Sequence, residues 1–259
     1  MDQYQADSAS LAPTPDPRLS PKLRLVGYLT ATDCILRGET ACQTVCYGYL
    51  AQSSADPTVF VVAIRGTNGA IEWFEDAKFS QVAHPVAGKV EAGFWGIYAS
   101  MEYRAVNGEA LPAAQGLAAA VGPGTVTVLG HSLGSALATY LTFDLAGLFG
   151  SRVSGCFFAS PRPGDDVFAK AFDARVQDYQ VYNYEFDAVP RLPFGSNYSE
   201  LPKATLISPS LAQARIRLNL ACFHHVVSYC SMLDFDLLDW ATMPFCDQSN
   251  AACIKGPAA

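Results

Sequence analysis

The chain has 259 residues, is 50% hydrophobic and 16% charged, and carries a formal net charge of −7. That composition suits one α/β domain over residues 1–259 with a sizeable core, and less readily two small ones. The acidic balance and the lack of any Lys/Arg cluster make nucleic acid a poor partner, and no run of about 18 apolar residues predicts a transmembrane helix.

Residues 1–18 are polar and proline-rich and read as a flexible lead-in, without the basic start and apolar run of a signal peptide. Ser20-Pro21 is a helix-start signal and predicts a helix to about Ala31. Thr44 to Ala51 alternates as a strand does, and Thr58 to Ile64 (TVFVVAI) is a β-branched run expected of a central strand buried on both faces. It ends at Arg65-Gly66-Thr67. Residues 68–79 mix Ile71, Trp73, Phe74 and Phe79 with charges and read as a short amphipathic helix; residues 93–121 read as helical, broken near Asn107-Gly108 and Pro112.

Thr125 to Gly130 (TVTVLG) predicts a short buried strand. Gly130-His131-Ser132-Leu133-Gly134 follows, and apolar residues then recur at helical spacing to Leu148. Gly155 to Ala159 is the next strand, closed by Ser160-Pro161-Arg162-Pro163-Gly164-Asp165; a short helix is expected over 169–176. Tyr179 to Phe186 alternates as another strand and ends in Asp187-Ala188-Val189-Pro190. Residues 191–218 are loop-like, and Phe223 to Trp240 carries His224, His225 and an apolar helical pattern. Strands alternating with helices imply a mostly parallel central sheet with helices on both faces.

Strand, G-x-S-x-G, helix is the context of a nucleophile elbow. A serine hydroxyl needs a base to take its proton, a sharp turn to present it, and small flanking residues so that strand and helix can approach. Ser132 is therefore the candidate nucleophile. Of the four histidines, His131 adjoins the serine but points away from its oxygen, and His84 lies in a loop beside Pro85, so the base is His224 or His225. Asp187 directly follows a strand and is the candidate acid that orients the base. The oxyanion of an acyl-transfer intermediate needs two donors: the backbone N–H of Leu133, and Thr67 at the end of an earlier strand.

Ile64-Arg65-Gly66-Thr67, Gly93-Phe94, Gly130-His131-Ser132-Leu133-Gly134 with Ala136-Leu137-Ala138, and Asp187-Ala188-Val189-Pro190 together resemble the class 3 lipase family, the filamentous-fungal triacylglycerol lipases and their bacterial and plant relatives. The Ser160 to Asp165 segment is similar to the family's Pro-Arg-x-Gly. The resemblance covers roughly residues 58–230. It implies an α/β-hydrolase fold and ester hydrolysis by Ser132, Asp187 and a histidine, with Thr67 and Leu133 as the oxyanion hole. His224 and Tyr229 form an H-x-x-x-x-Y like that of many bacterial and plant members, which selects His224 as base. The resemblance also makes residues 68–90 a lid, with Trp73 as its tryptophan and Asp76 as the aspartate that holds the Thr67 hydroxyl. Glu91-Ala92 before Gly-Phe departs from the polar residue many members carry there.

The expected function is a serine lipase on acylglycerols, acting at a lipid–water interface without cofactor or metal. An esterase on short, feruloyl or polyester substrates is the close alternative, and a non-catalytic binding protein of the same fold the distant one. Eight cysteines lean toward an exported protein; Cys246 with Cys253, and two of Cys34, Cys42 and Cys46, are candidate pairs.

Overall fold

The computed structural model describes residues 11–13, 21–33, 42–66, 78–106, 108–208, 216–234 and 253–254. Thr67, Trp73, Asp76 and most of the amphipathic segment at 68–79 lie outside them. The strands are β1 (Leu23–Asp33), β2 (Gln43–Ser53), β3 (Val59–Ile64), β4 (Gln81–Ala83), β5 (Lys89–Glu91), β6 (Glu102–Ala105), β7 (Ala110–Pro112), β8 (Thr125–His131), β9 (Val153–Phe158), β10 (Asp178–Tyr184) and β11 (Ala204–Ile207). The helices are α1 (Ala92–Ala99), α2 (Ala113–Val121), α3 (Leu133–Phe149), α4 (Asp166–Arg175), α5 (Leu220–His224) and α6 (Val226–Leu233).

One sheet runs in the order β11-β10-β9-β8-β3-β2-β1-β6-β7. From β3 to β11 all neighbours are parallel. The β-branched runs of β3 and β8 suit that position, because parallel strands between helices are apolar on both faces. The other flank is antiparallel: β2 on β3, β1 on β2, β6 on β1 and β7 on β6.

This flank corrects two expectations. The segment expected to be a helix to Ala31 is the strand β1, whose Val26, Tyr28, Thr30 and Thr32 favour an extended chain once β2 and β6 supply partners. Residues 93–121 hold β6 and β7 between two helices, so the breaks expected near Asn107 and Pro112 bound a strand pair. Residues 191–218 similarly include the edge strand β11.

Helix α3 is buried nearly all round, with Leu133, Leu137, Tyr140, Leu141 and Leu145 fully inaccessible. By length and composition it is apolar enough to cross a membrane, but it is the core helix here, a hydrophobic cylinder on the sheet with α1, α2 and α4 around it. Strand alternation divides the two faces. Phe157 and Val181 point into the main core with α3, while Phe158 and Tyr182 pack on the other face with Tyr229 of α6. Helices therefore cover both faces.

Of the residues 68–90 expected to form a lid, 78–90 are held against the body. Val82 of β4 pairs with Val90 of β5, and Val90 is fully buried. The β5 end is tied down by Glu91 N–H to Pro163 O at 3.0 Å and by Asp165 N–H to Lys89 O at 2.8 Å. His84 between the strands is buried edge-on among Trp95, Phe143 and Phe168, and its Nδ1 accepts from the N–H groups of Val86 and Ala87.

Candidate active site

β8 runs straight into Ser132, whose backbone sits at φ 59°, ψ −132°. A non-glycine residue at positive φ is strained and persists only where its surroundings hold it. Here the Ser132 N–H donates to Phe158 O at 3.0 Å, Ser132 O accepts from Ser135 N–H at 2.8 Å, and the Ser135 hydroxyl donates to Phe158 O at 2.7 Å. The flanking glycines are required by contact. A Cβ on Gly134 would stand 2.4 Å from Arg65 O, and one on Gly130 2.4 Å from Gly134 O. The elbow thus forms because β3, β8 and α3 converge with no room for side chains.

Asp187 follows β10 in a turn closed by its own N–H to Tyr184 O at 3.0 Å. Its two oxygens have separate duties. Oδ1 accepts from Val189 N–H at 3.0 Å, which forms the turn, and Oδ2 is left for the site.

His224 is the last residue of α5, a five-residue helix capped by Asn219 Oδ1 on Cys222 N–H. A disulfide joins Cys222 to Cys253, and beside it Ile216 bridges Ile254. This corrects the expected Cys246–Cys253 pair: the backbone bridge brings Cys253 to Cys222. Cys42 is also disulfide-bonded, while Cys46, Cys156 and Cys230 are free. The two adjacent histidines diverge. His225 is extended and caps α6, its Nδ1 accepting from Val227 N–H.

The side chains of Ser132, His224 and Asp187 form one hydrogen-bonded chain. Ser132 Oγ lies 2.8 Å from His224 Nε2, and His224 Nδ1 lies 2.8 Å from Asp187 Oδ2. All three are at least 93% buried, so these bonds lie in a low-dielectric setting. Ionised Asp187 can only accept, so Nδ1 carries the proton and Nε2 is free to accept from the serine hydroxyl. That is the proton arrangement a serine nucleophile needs. Leu133 opens α3, and an N–H at that position has no partner within its helix.

Tyr229, which the sequence marks only by its spacing from His224, is part of the site. Its hydroxyl donates to Asp187 Oδ2 at 2.7 Å and accepts from Tyr184 N–H at 3.0 Å. Burial first, then the nearby Asp187 charge, holds the Tyr229 phenol well above its ordinary pKa, so it remains a donor. The H-x-x-x-x-Y spacing was the available signal. His131 also turns inward, its Nε2 2.7 Å from the backbone oxygen of His224. Other acidic residues between Ser132 and His224 are engaged elsewhere: Asp165 caps α4, Asp166 pairs with Lys170, Asp173 with Lys203, and Glu200 faces Arg162. Arg65, before the segment that leads to Thr67, is fixed by Nε–H to Cys46 O at 2.7 Å and lies over the Tyr47 ring. Among the described residues no group of three or more His, Cys, Asp or Glu is arranged to hold a metal ion.

A sequence model of the family described as Lipase (class 3) matches residues 61–197. Among curated proteins, the "Secreted mono- and diacylglycerol lipase A" of Penicillium cyclopium is 29% identical over 148 residues, 56% of this chain and 46% of the relative. "Phospholipase A1-II 6" of Oryza sativa subsp. japonica is 31% identical over 208 residues, 65% of this chain and 50% of the relative. The chain thus spans about half the length of these curated relatives. Among solved structures, the Rhizomucor miehei lipase propeptide complex superposes with TM-score 0.53 at 25% identity, over 62% of this chain and 52% of that one. This likeness bears out the expected α/β-hydrolase fold.

Proposed function

Because the chain belongs to the class 3 lipase family, we propose that it is a serine carboxylic-ester hydrolase in which Ser132 is the nucleophile, His224 the base and Asp187 the acid. The observation that carries this reading is the unbroken hydrogen-bonded chain from Ser132 Oγ through His224 to Asp187 Oδ2. His224 Nε2 takes the serine proton as Oγ attacks the ester carbonyl. Asp187 stabilises the imidazolium that forms. The Leu133 N–H and, on sequence grounds, Thr67 hold the oxyanion. His224 then protonates the departing alcohol, and a water activated by the same base releases the acid and restores Ser132.

For substrate we propose acylglycerols at a lipid–water interface. Support comes from the relative named a mono- and diacylglycerol lipase; the relatives named phospholipases A1 make phospholipid the competing substrate. The Cys222–Cys253 disulfide, the disulfide at Cys42 and a relative named as secreted support export to an oxidising compartment.

The test is acyl release from p-nitrophenyl esters of rising chain length, from diacylglycerol and from phosphatidylcholine, with Ser132→Ala alongside. Ser132→Ala is expected to lower kcat/KM by about 10⁴-fold or more. Diacylglycerol turnover well above that of phosphatidylcholine supports the substrate assignment; the reverse order replaces it with a phospholipase. No serine-dependent release from any ester removes the hydrolase reading.

A further inference from the structure

Directly before the nucleophile, His131 has a part-buried imidazole that the mechanism above does not use. Its Nε2 lies 2.7 Å from the backbone oxygen of His224, and the two rings stand 4.8 Å apart, tilted by 37°. On its other side, Nδ1 lies where a Cβ on Gly66 would come within 3.4 Å. His131 is thus wedged between the helix that carries His224 and the strand end that leads to Thr67.

A carbonyl oxygen only accepts, so neutral His131 carries its proton on Nε2 and donates it to His224 O. That carbonyl needs an outside donor. His224 ends α5, and the last carbonyls of a helix have no partner within it. In a helix of five residues few bonds fix the last residue, so the backbone position of His224 depends on this bond together with the Cys222–Cys253 disulfide two residues earlier. The donor is the residue covalently joined to Ser132. One dipeptide, His131-Ser132, therefore holds the base twice: by Nε2–H to its backbone oxygen, and through Ser132 Oγ at its ring.

We propose that His131 is a positioning residue that sets the Ser132–His224 distance by donating Nε2–H to the His224 carbonyl. The proposal rests on the reading of His224 as base. Neutrality of His131 belongs to it, because a charged ring would oppose the imidazolium that forms on His224 in the reaction. The titratable groups facing His131 are His224, His225 and the Tyr229 phenol. Burial first, then the charge of His224, holds His131 well below the ordinary histidine range.

The experiment compares His131→Phe, His131→Asn and His131→Gln in the full chain, with thermal melting and separate kcat and KM on a soluble ester. Phe keeps the ring and loses the donor. Asn places its amide near the Nδ1 position. Gln places an N–H near the Nε2 position. Phe and Asn are expected to lower kcat by about 10- to 100-fold with KM little changed, as misplaced catalytic groups do, and Gln to recover most of the loss. The acid limb of the kcat/KM profile is expected to survive in the Phe variant. Independently, ¹⁵N-histidine NMR of the wild type, assigned by the signal lost in His131→Gln, is expected to show His131 as the Nε2–H tautomer and still neutral at about pH 6.5, where an ordinary histidine is half protonated. A Phe variant with wild-type kcat overturns the proposal. So does Gln as impaired as Phe at equal melting temperature, or an Nδ1–H or protonated His131 in the NMR. Loss of the acid limb in His131→Phe would make His131 the base and also overturn it. Ser132→Ala retaining ester hydrolysis would instead sink the function on which the proposal rests, and the NMR result separates that failure from one in the geometry.

Discussion

The hydroxyl of Tyr229 offers the sharpest test of how the site is held together. Tyr229→Phe deletes one oxygen and leaves the ring, which packs against Phe158 and Tyr184. Two bonds go with it: the one donated to Asp187 Oδ2 at 2.7 Å and the one accepted from Tyr184 N–H at 3.0 Å. A hydrogen bond to a buried charge contributes about 1.5–3 kcal/mol, and a buried N–H left without a partner costs about 1–3 kcal/mol. The Tyr184 N–H has no ready substitute, because the described ladder between β10 and β9 ends two residues earlier, at Tyr182 and Phe158. Allowing for overlap between the two terms, the loss is about 3–4 kcal/mol. For a chain of this size that lowers Tm by roughly 6–16 °C. Activity should fall less. Asp187 keeps the His224 Nδ1–H and Val189 N–H bonds, so the geometry survives while its charge is less well stabilised. A drop in kcat/KM of about tenfold is expected, the scale seen when a supporting hydrogen bond to a functional residue is removed. Calorimetry and p-nitrophenyl ester kinetics on the same preparation check both figures. A Tm within 2 °C of wild type, or a loss of activity as complete as in Ser132→Ala, would refute the account of Tyr229 as a support for Asp187.

Three further outcomes are expected. Cys222→Ser opens a loop of 31 residues, which the chain-entropy relation puts at about 3–4 kcal/mol of stability, and it loosens the helix carrying His224, so kcat should fall with Tm; an unchanged kcat would separate α5 from the disulfide. His225→Ala removes the cap of α6 and should cost about 1 kcal/mol in denaturant melts with activity retained, whereas His224→Ala should abolish turnover; equal kinetic losses would undo the distinction between the two. His84 and His131 are both held below the ordinary histidine range, by burial first, so the unfolded chain binds protons there that the folded chain refuses. Stability from these groups is complete above about pH 6.5 and is lost on acidification, by up to about 1.4 kcal/mol per pH unit for each; His84→Phe should flatten the measured slope, and an unaltered slope would exonerate His84.

The parts of the molecule legible from sequence are those whose physics is local. β3 and β8 lie in the parallel centre of the sheet, so they appear as β-branched runs, and Ser132 stands directly after β8 while Asp187 stands in the turn that follows β10. The elbow glycines can be read because contact with Arg65 O and Ala138 leaves no choice of residue. The antiparallel flank is harder to read because β1 becomes a strand through its pairing with β2 and β6, which a helix-start signal at Ser20-Pro21 conceals. The Cys222–Cys253 pair depends on a bridge between Ile216 and Ile254, remote in sequence.

The two adjacent histidines show where local reading stops. Both are imidazoles in the same short segment, and their side chains alone do not distinguish them. What separates them is a change of backbone between consecutive residues: His224 closes α5, and His225 is extended and opens α6. That break is held from outside the segment, by the disulfide at Cys222 and by His131 on the His224 carbonyl. It follows that the proposed base, His224, is placed by the packing of α5 against the end of β8. Substitutions that shift α5 without touching the Ser132–His224–Asp187 chain should therefore lower turnover before they lower substrate binding.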